Sequence, residues 1–258
     1  MRHTRLLSAI LLGVVLAACI SGCSRDPNVK KQKYLASGKK YFEDKKYREA
    51  GIQFSNALQV DPKFADAHYE LARTYMHMDP PAVQAAIMEL QRTVALKPDH
   101  LKAQLDIGGM LLGFHKFDLA LERANLVLQK DPKNVEAQIL KASAEAGQGN
   151  QDQAMADLKT AIEWQPDNPK PYLAMGMAQA SLKNAAEAEA NFKKAISLDP
   201  KNMSAILTLG AYYESQKRFP EAEQQFKNAV SVEPKNPMAR AVLEIGRASC
   251  RERVYVLV

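Results

Sequence analysis

A chain of 258 residues, 47% apolar, 25% charged and 7% aromatic, can bury a sizeable core, which excludes a wholly disordered chain and a multi-span membrane protein. The formal charge of +6 comes largely from the two ends: without Arg2, Arg5, Arg247, Arg251, Arg253 and Glu252, 30 basic residues face 28 acidic ones. That near balance gives no argument for nucleic acid, and the surplus of alanine, leucine, lysine, glutamate and glutamine over β-branched residues favours helix.

Arg2 and Arg5 form a short basic head, Leu6 to Ala18 an apolar stretch of 13 residues, and small residues follow at once. A spanning helix needs about 20 apolar residues, so residues 1–22 are expected to be a secretory signal. Cys19, Cys23 and Cys250 are too few for a disulfide scaffold and are not placed as zinc ligands. Leu16-Ala17-Ala18-Cys19 and Ile20-Ser21-Gly22-Cys23 both resemble the processing site of bacterial lipoproteins, with small residues just before a thiol that can take diacylglycerol. Cys23 is the preferred lipidation site and Cys19 the alternative, because polar Ser24-Arg25-Asp26-Pro27 follows Cys23 whereas Ile20 follows Cys19. Two or three acyl chains exceed the marginal attachment of one, and residues 23–30 then form a short tether. In lipoproteins of this kind, the absence of aspartate after the cysteine implies the outer membrane, with the protein facing the periplasm.

Proline then recurs at Pro62, Pro98, Pro132, Pro166, Pro200 and Pro234, a spacing of 34 residues after one interval of 36. Twelve residues before each lies alanine: Ala50, Ala86, Ala120, Ala154, Ala188 and Ala222. Eight before lie Phe54, Leu90, Ala124, Leu158, Phe192 and Phe226, and five before lie Ala57, Thr93, Val127, Ala161, Ala195 and Ala229. The eighth position of each repeat is small: Gly38, Ala72, Gly108, Ala142, Gly176 and Gly210. Three residues later come Tyr41, Tyr75, Leu111, Glu145, Gln179 and Tyr213.

Apolar and small residues at 3–4 spacing make two amphipathic helices per repeat, A and B, and the proline stops helix B because it lacks an N–H. In repeat three the pattern predicts helix A over 101–113, a turn at 114–117 and helix B over 118–129. The two extra residues of repeat two are expected in the His77–Pro81 loop, where Asp79-Pro80-Pro81 resists helix.

This pattern of small, tyrosine, alanine, phenylalanine, alanine and proline positions resembles the tetratricopeptide repeat. The resemblance implies an all-α fold: a solenoid of stacked antiparallel helix pairs in a right-handed superhelix. Six repeats are expected, at 31–64, 65–100, 101–134, 135–168, 169–202 and 203–236, with the start of a truncated seventh at 237–244. Residues 245–258 read as a non-native tail, since the expected helix B does not follow and a permitted back-translation of Glu244–Val254 resembles a DNA-sequencing adapter.

The resemblance also implies function. In the family, A helices line a concave groove for partner segments at the second, fifth, ninth, twelfth and thirteenth positions. In repeats one and two these are Gln32, Leu35, Lys39, Phe42 and Glu43, then Asp66, Tyr69, Arg73, Met76 and His77. The fifth-position series Leu35, Tyr69, Leu105, Ile139, Leu173 and Leu207 reads either as an apolar stripe for a partner or as packing between A helices. The candidate partner-binding residues are Leu35, Tyr69, Arg73, Met76, Leu105 and Leu173. The lysine and asparagine that grip a terminal carboxylate in chaperone-binding relatives are replaced by Leu35 and Lys39.

No histidine pair has metal-ligand spacing, no serine has a general base in sight, and Gly147-Gln148-Gly149-Asn150 lacks the strand and Lys-Ser/Thr of a phosphate loop. The expectation is a non-catalytic scaffold with no metal, cofactor, nucleic acid or small-molecule substrate. Anchored by lipid in a bacterial envelope, it would hold envelope proteins or peptide segments. The alternatives are a periplasmic adaptor for cell-wall or secretion enzymes, or a soluble regulatory module.

Overall fold

The computed structural model describes residues 26–244; the leader, Cys19, Cys23, the tail and Cys250 lie outside the described residues. Among the described residues the helices run in order: α1 Pro27–Glu43, α2 Tyr47–Val60, α3 Ala65–His77, α4 Val83–Leu96, α5 Leu101–Gly113, α6 Phe117–Lys130, α7 Val135–Gly147, α8 Gln151–Trp164, α9 Pro169–Ser181, α10 Ala185–Leu198, α11 Met203–Ser215 and α12 Phe219–Val232. A further helical segment, α13, covers 237–244, and the described residues contain no strand. The fold is all-α, built from paired helices of the tetratricopeptide type.

Two compact bodies divide within α5, one ending at Ile107 and the other beginning at Gly108. In the first, α1 packs on α2, α2 on α3 and α3 on α4, and α1 also touches α3. Its core gathers Leu35, Ala50, Phe54, Ala57, Phe64, Ala67 and Leu71. In the second, α7 pairs with α8, α9 with α10 and α11 with α12, and each pair packs on the next. Phe192, Leu209, Tyr213, Phe226 and Leu243 form one part of its core, and Ala142, Leu158 and Met175 another.

Helix pairs approach closely because residue size is matched across each pair. The six alanines twelve residues before the prolines are 0–1% exposed, so no larger side chain fits there. Where helix B brings phenylalanine (Phe54, Phe192, Phe226), helix A of the same repeat has glycine (Gly38, Gly176, Gly210). A Cβ on Gly176 or Gly210 would lie 2.6 or 2.5 Å from the Phe192 or Phe226 ring. Where helix B has the smaller Leu90 or Leu158, helix A carries Ala72 or Ala142. Repeat three departs from this pairing: Ala124 is small, and Leu140 of the following helix enters against Gly108 instead.

Turns between A and B are three residues long except between α3 and α4, where residues 78–82 hold the two extra residues and a cis Asp79–Pro80 bond. The central turn residues Lys45, His115, Gly149, Lys183 and Lys217 all have positive φ, which closes the hairpin within three residues. Side chains then cap the A helices two residues after the prolines. Asn134 Oδ1 accepts from Ala137 N at 2.9 Å, Asn168 from Lys170 N at 3.0 Å and Asn202 from Ala205 N at 3.0 Å. Helix B of repeat three runs one residue further at each end than the pattern predicts, because Lys116 O already accepts from Ala120 N at 3.0 Å and Asp131 N still reaches Val127 O at 2.8 Å.

Candidate partner-binding site

The groove positions of α1 and α3 meet in a cleft of about 340 Å³, lined by Lys39, Phe42, Glu43, Lys45, Tyr47, Glu70, Arg73 and His77. Three rings form its floor. Phe42 stands edge-on to Tyr47 at 5.3 Å and to His77 at 5.0 Å, and Tyr47 lies 5.4 Å from His77. The Arg73 guanidinium sits 4.5 Å above the Phe42 ring and donates to Glu70 Oε2 at 2.8 Å. Lys39 Nζ reaches the other Glu70 oxygen at 3.5 Å. Glu70 is buried, so its two cations compensate a charge that would otherwise be costly. His77 is oriented from its own helix, its Nδ1 lying 2.8 Å from Arg73 O.

Only some of the residues singled out in the sequence reach this cleft. Arg73 lines it, and Met76 on the same helix is 37% exposed. Leu35 is 7% exposed and belongs to the core of the first body, against Phe54 and Leu71. Tyr69 is buried, its ring 4.5 Å from that of His100, and burial together with the Asp106 carboxylate pushes its phenol well above the ordinary range. Arg73 Cζ lies 5.9 Å from the Tyr69 ring, and Tyr69 is not among the residues that line the cleft. Leu105 is half-buried, and Leu173 packs partly buried against the core of the second body. The positions of Cys19 and Cys23 fall outside the described residues.

A groove drawn from A helices alone misses Tyr47, which opens helix B. Aromatic residues at that position in repeats one, three and six (Tyr47, Phe117, Phe219) are the sequence signal that could have found it.

Charged side chains also meet away from the cleft, within helices and between them. His68 Nδ1 lies 2.5 Å from Glu89 Oε2 across α3 and α4, and His68 Nε2 lies 3.0 Å from Pro62 O. With an acceptor at each nitrogen, the hydrogen bond to Glu89 raises the His68 pKa against the opposing effect of burial. Glu189 accepts from Arg218 Nη1 at 2.5 Å and Tyr213 Oη at 2.9 Å, with Lys193 Nζ at 2.6 Å, and these partners, Arg218 first, hold its pKa at about 2. Repeat four behaves in the opposite way. Glu145 occupies the position of Tyr41, Tyr75 and Tyr213, buried beside Asp157. Burial first, and the Asp157 carboxylate second, push it up to about 7. Lys141 Nζ is 2.8 Å from Asp157 and 3.7 Å from Glu145.

Among the described residues no group of three His, Cys, Asp or Glu side chains could hold a metal ion. None of the described helices is long and apolar enough to cross a membrane.

Two family models, both described as tetratricopeptide repeat, match residues 105–169 and 179–244, together half of the chain. Over 120 residues the chain is 32% identical to DnaJ homolog subfamily C member 3 of Mus musculus, covering 45% of this chain and 23% of that protein. It spans less than a quarter of the length of the curated relatives it matches. Among solved structures, a tetratricopeptide repeat protein from Parabacteroides merdae aligns with a TM-score of 0.74 at 19% identity, over 90% of this chain and 89% of that one. PilW, a type IV pilus biogenesis factor, aligns with a TM-score of 0.63 at 20% identity, over 83% of this chain and 98% of that one. At these identities the structural likeness establishes the fold.

Proposed function

Because the chain belongs to the tetratricopeptide-repeat family, we propose that it is a non-catalytic adaptor of the bacterial cell envelope that grips segments of partner proteins in the cleft between α1 and α3. One observation carries this reading: Arg73 is clamped between Glu70 and the Phe42 ring at the mouth of a cleft floored by three aromatic rings. Aromatic and arginine side chains fixed in advance lose little entropy on binding and dominate interface energetics. An apolar side chain of the partner fits over Phe42, Tyr47 and His77, while Arg73 and Lys45 supply donors at the rim. The envelope setting draws on the leader and on the two cysteine sites, with Cys23 taking the lipid that keeps the adaptor at a membrane. The pilus biogenesis factor with the same fold is consistent with that setting.

The test is the double variant Phe42→Ala with Arg73→Ala, read by crosslinking in intact cells and by thermal unfolding. Loss of a hot-spot pair is expected to weaken the complex by roughly thirtyfold or more. A fall in crosslinked partner with an unchanged melting temperature supports the cleft. Unchanged crosslinking with unchanged stability removes this site from consideration.

A further inference from the structure

Charge is distributed unevenly along the chain. Residues 27–48 carry eight basic side chains and two acidic ones, whereas residues 49–246 carry 21 basic and 25 acidic. The basic excess therefore sits on the first helical hairpin. Leu35 and Gly38 mark the buried face of α1. At 100° per residue the opposite face runs through Val29, Lys33, Ala36 and Lys40, all of them exposed, Val29 at 57%. Lys31 is paired with Asp61 at 2.6 Å and Lys39 with Glu70 at 3.5 Å. Lys33, Lys40, Lys45 and Lys46 have no carboxylate partner among the described residues.

Three residues separate Cys23 from Pro27, the first residue of α1. Extended chain spans at most about 3.6 Å per residue, so lipid on Cys23 would hold the start of α1 within about 15 Å of the headgroups. The helix itself, with 17 residues, is about 26 Å long, longer than the reach of the tether. So short a tether gives a high effective concentration of the basic face at the bilayer. Each basic side chain near an anionic surface favours contact by roughly fivefold at physiological salt.

We infer that the outward face of α1, with Lys46 of the adjoining turn, docks on the anionic phospholipid headgroups of the membrane that holds the protein. This rests on the lipid-anchored reading given above. Val29 enters the interface, the lysines meet phosphate, and the net negative remainder of the chain is repelled. Phe42 lies on the packed side of α1, so docking leaves the partner cleft open.

The full chain, purified from bacterial membranes, is reconstituted in vesicles of phosphatidylcholine alone or with 30% phosphatidylglycerol, and its lysines are labelled with a water-soluble acetylating reagent. Mass spectrometry reads each lysine and the acylation state of the N-terminal peptide. Lys33 and Lys40 should react severalfold more slowly on the anionic vesicles, with Lys201 unchanged, and 0.5 M salt should abolish the difference. Lys33→Glu with Lys40→Glu should lower the docked-to-undocked ratio by about twentyfold or more, read as recovered labelling of Lys46. Equal labelling on both vesicle types overturns the inference. Protection that appears only when native membrane proteins are added assigns the face to a protein partner, and overturns it too. An unacylated N-terminal peptide with protection intact refutes the anchor but leaves docking standing, so the two readings fail separately.

Discussion

Removing one buried charge from repeat four should stabilise the protein above neutral pH. Glu145 and Asp157 share a site that Lys141 partly neutralises, and Glu145 is raised from 4.5 to about 7. A carboxyl group whose folded value exceeds its unfolded value contributes stability that is complete below pH 4.5 and is lost as pH rises through about 7. At about 1.4 kcal/mol per pH unit, the penalty at pH 8 is roughly 3 kcal/mol. Glu145→Gln keeps the shape and removes the charge, so at pH 8 it should recover much of that amount. For a chain of this size each kcal/mol corresponds to a shift of about 2–4 °C in melting temperature. Circular dichroism melts at pH 5, 6, 7 and 8 should show a small difference at pH 5 and an advantage for the variant that grows to about pH 7 and then levels off. A variant that melts below the parent by the same margin at every pH would refute the reasoning. Attraction to Lys141 would then outweigh burial and the neighbouring carboxylate.

Gly176→Ala should cost about 1–3 kcal/mol, because its Cβ would lie 2.6 Å from Phe192. Gly109→Ala, with nothing within 4 Å, should instead stabilise by about 0.5–1 kcal/mol; equal effects in urea titrations would show that the helix spacing is not set by those glycines. His68→Gln should cost more stability at pH 6 than at pH 9. The raised His68 value means that its contribution is complete below 6.5 and fades as pH rises through the folded value. A pH-independent cost would show that His68 acts through shape alone.

The sequence by itself determined the helix pairs and their spacing. The 34-residue period, the six invariant alanines and the prolines state where helices touch and stop, because packing at 0–1% exposure leaves no latitude in size. The match of glycine to phenylalanine and of alanine to leucine was also present in the chain. So was the longer α3–α4 turn, because proline removes a backbone donor whatever surrounds it. What the sequence left open was how the faces are shared. Leu35 and Tyr69 fit an apolar stripe for a partner as well as they fit helix packing, and only the approach of neighbouring helices buried them. Periodicity places a residue on a face; it does not say what lies opposite.

The charged contacts were illegible for the same reason. His68 and Glu89 are 21 residues apart, Arg218 and Glu189 are 29 apart, and each reads in isolation as one more polar residue on a helix surface. Glu145 and Glu189 are chemically the same side chain, yet one is pushed up to about 7 and the other held at about 2. Glu145 is buried beside the Asp157 carboxylate of the next helix, whereas Glu189 accepts from the Arg218 guanidinium in the turn before α12. The cleft has the same origin, since Phe42, Tyr47, Arg73 and His77 come from three helices whose angles no local pattern specifies. Local sequence determined the helices because their hydrogen bonds and buried small residues are short-range. The site depends on distances across helices, and those exist only once the chain has packed.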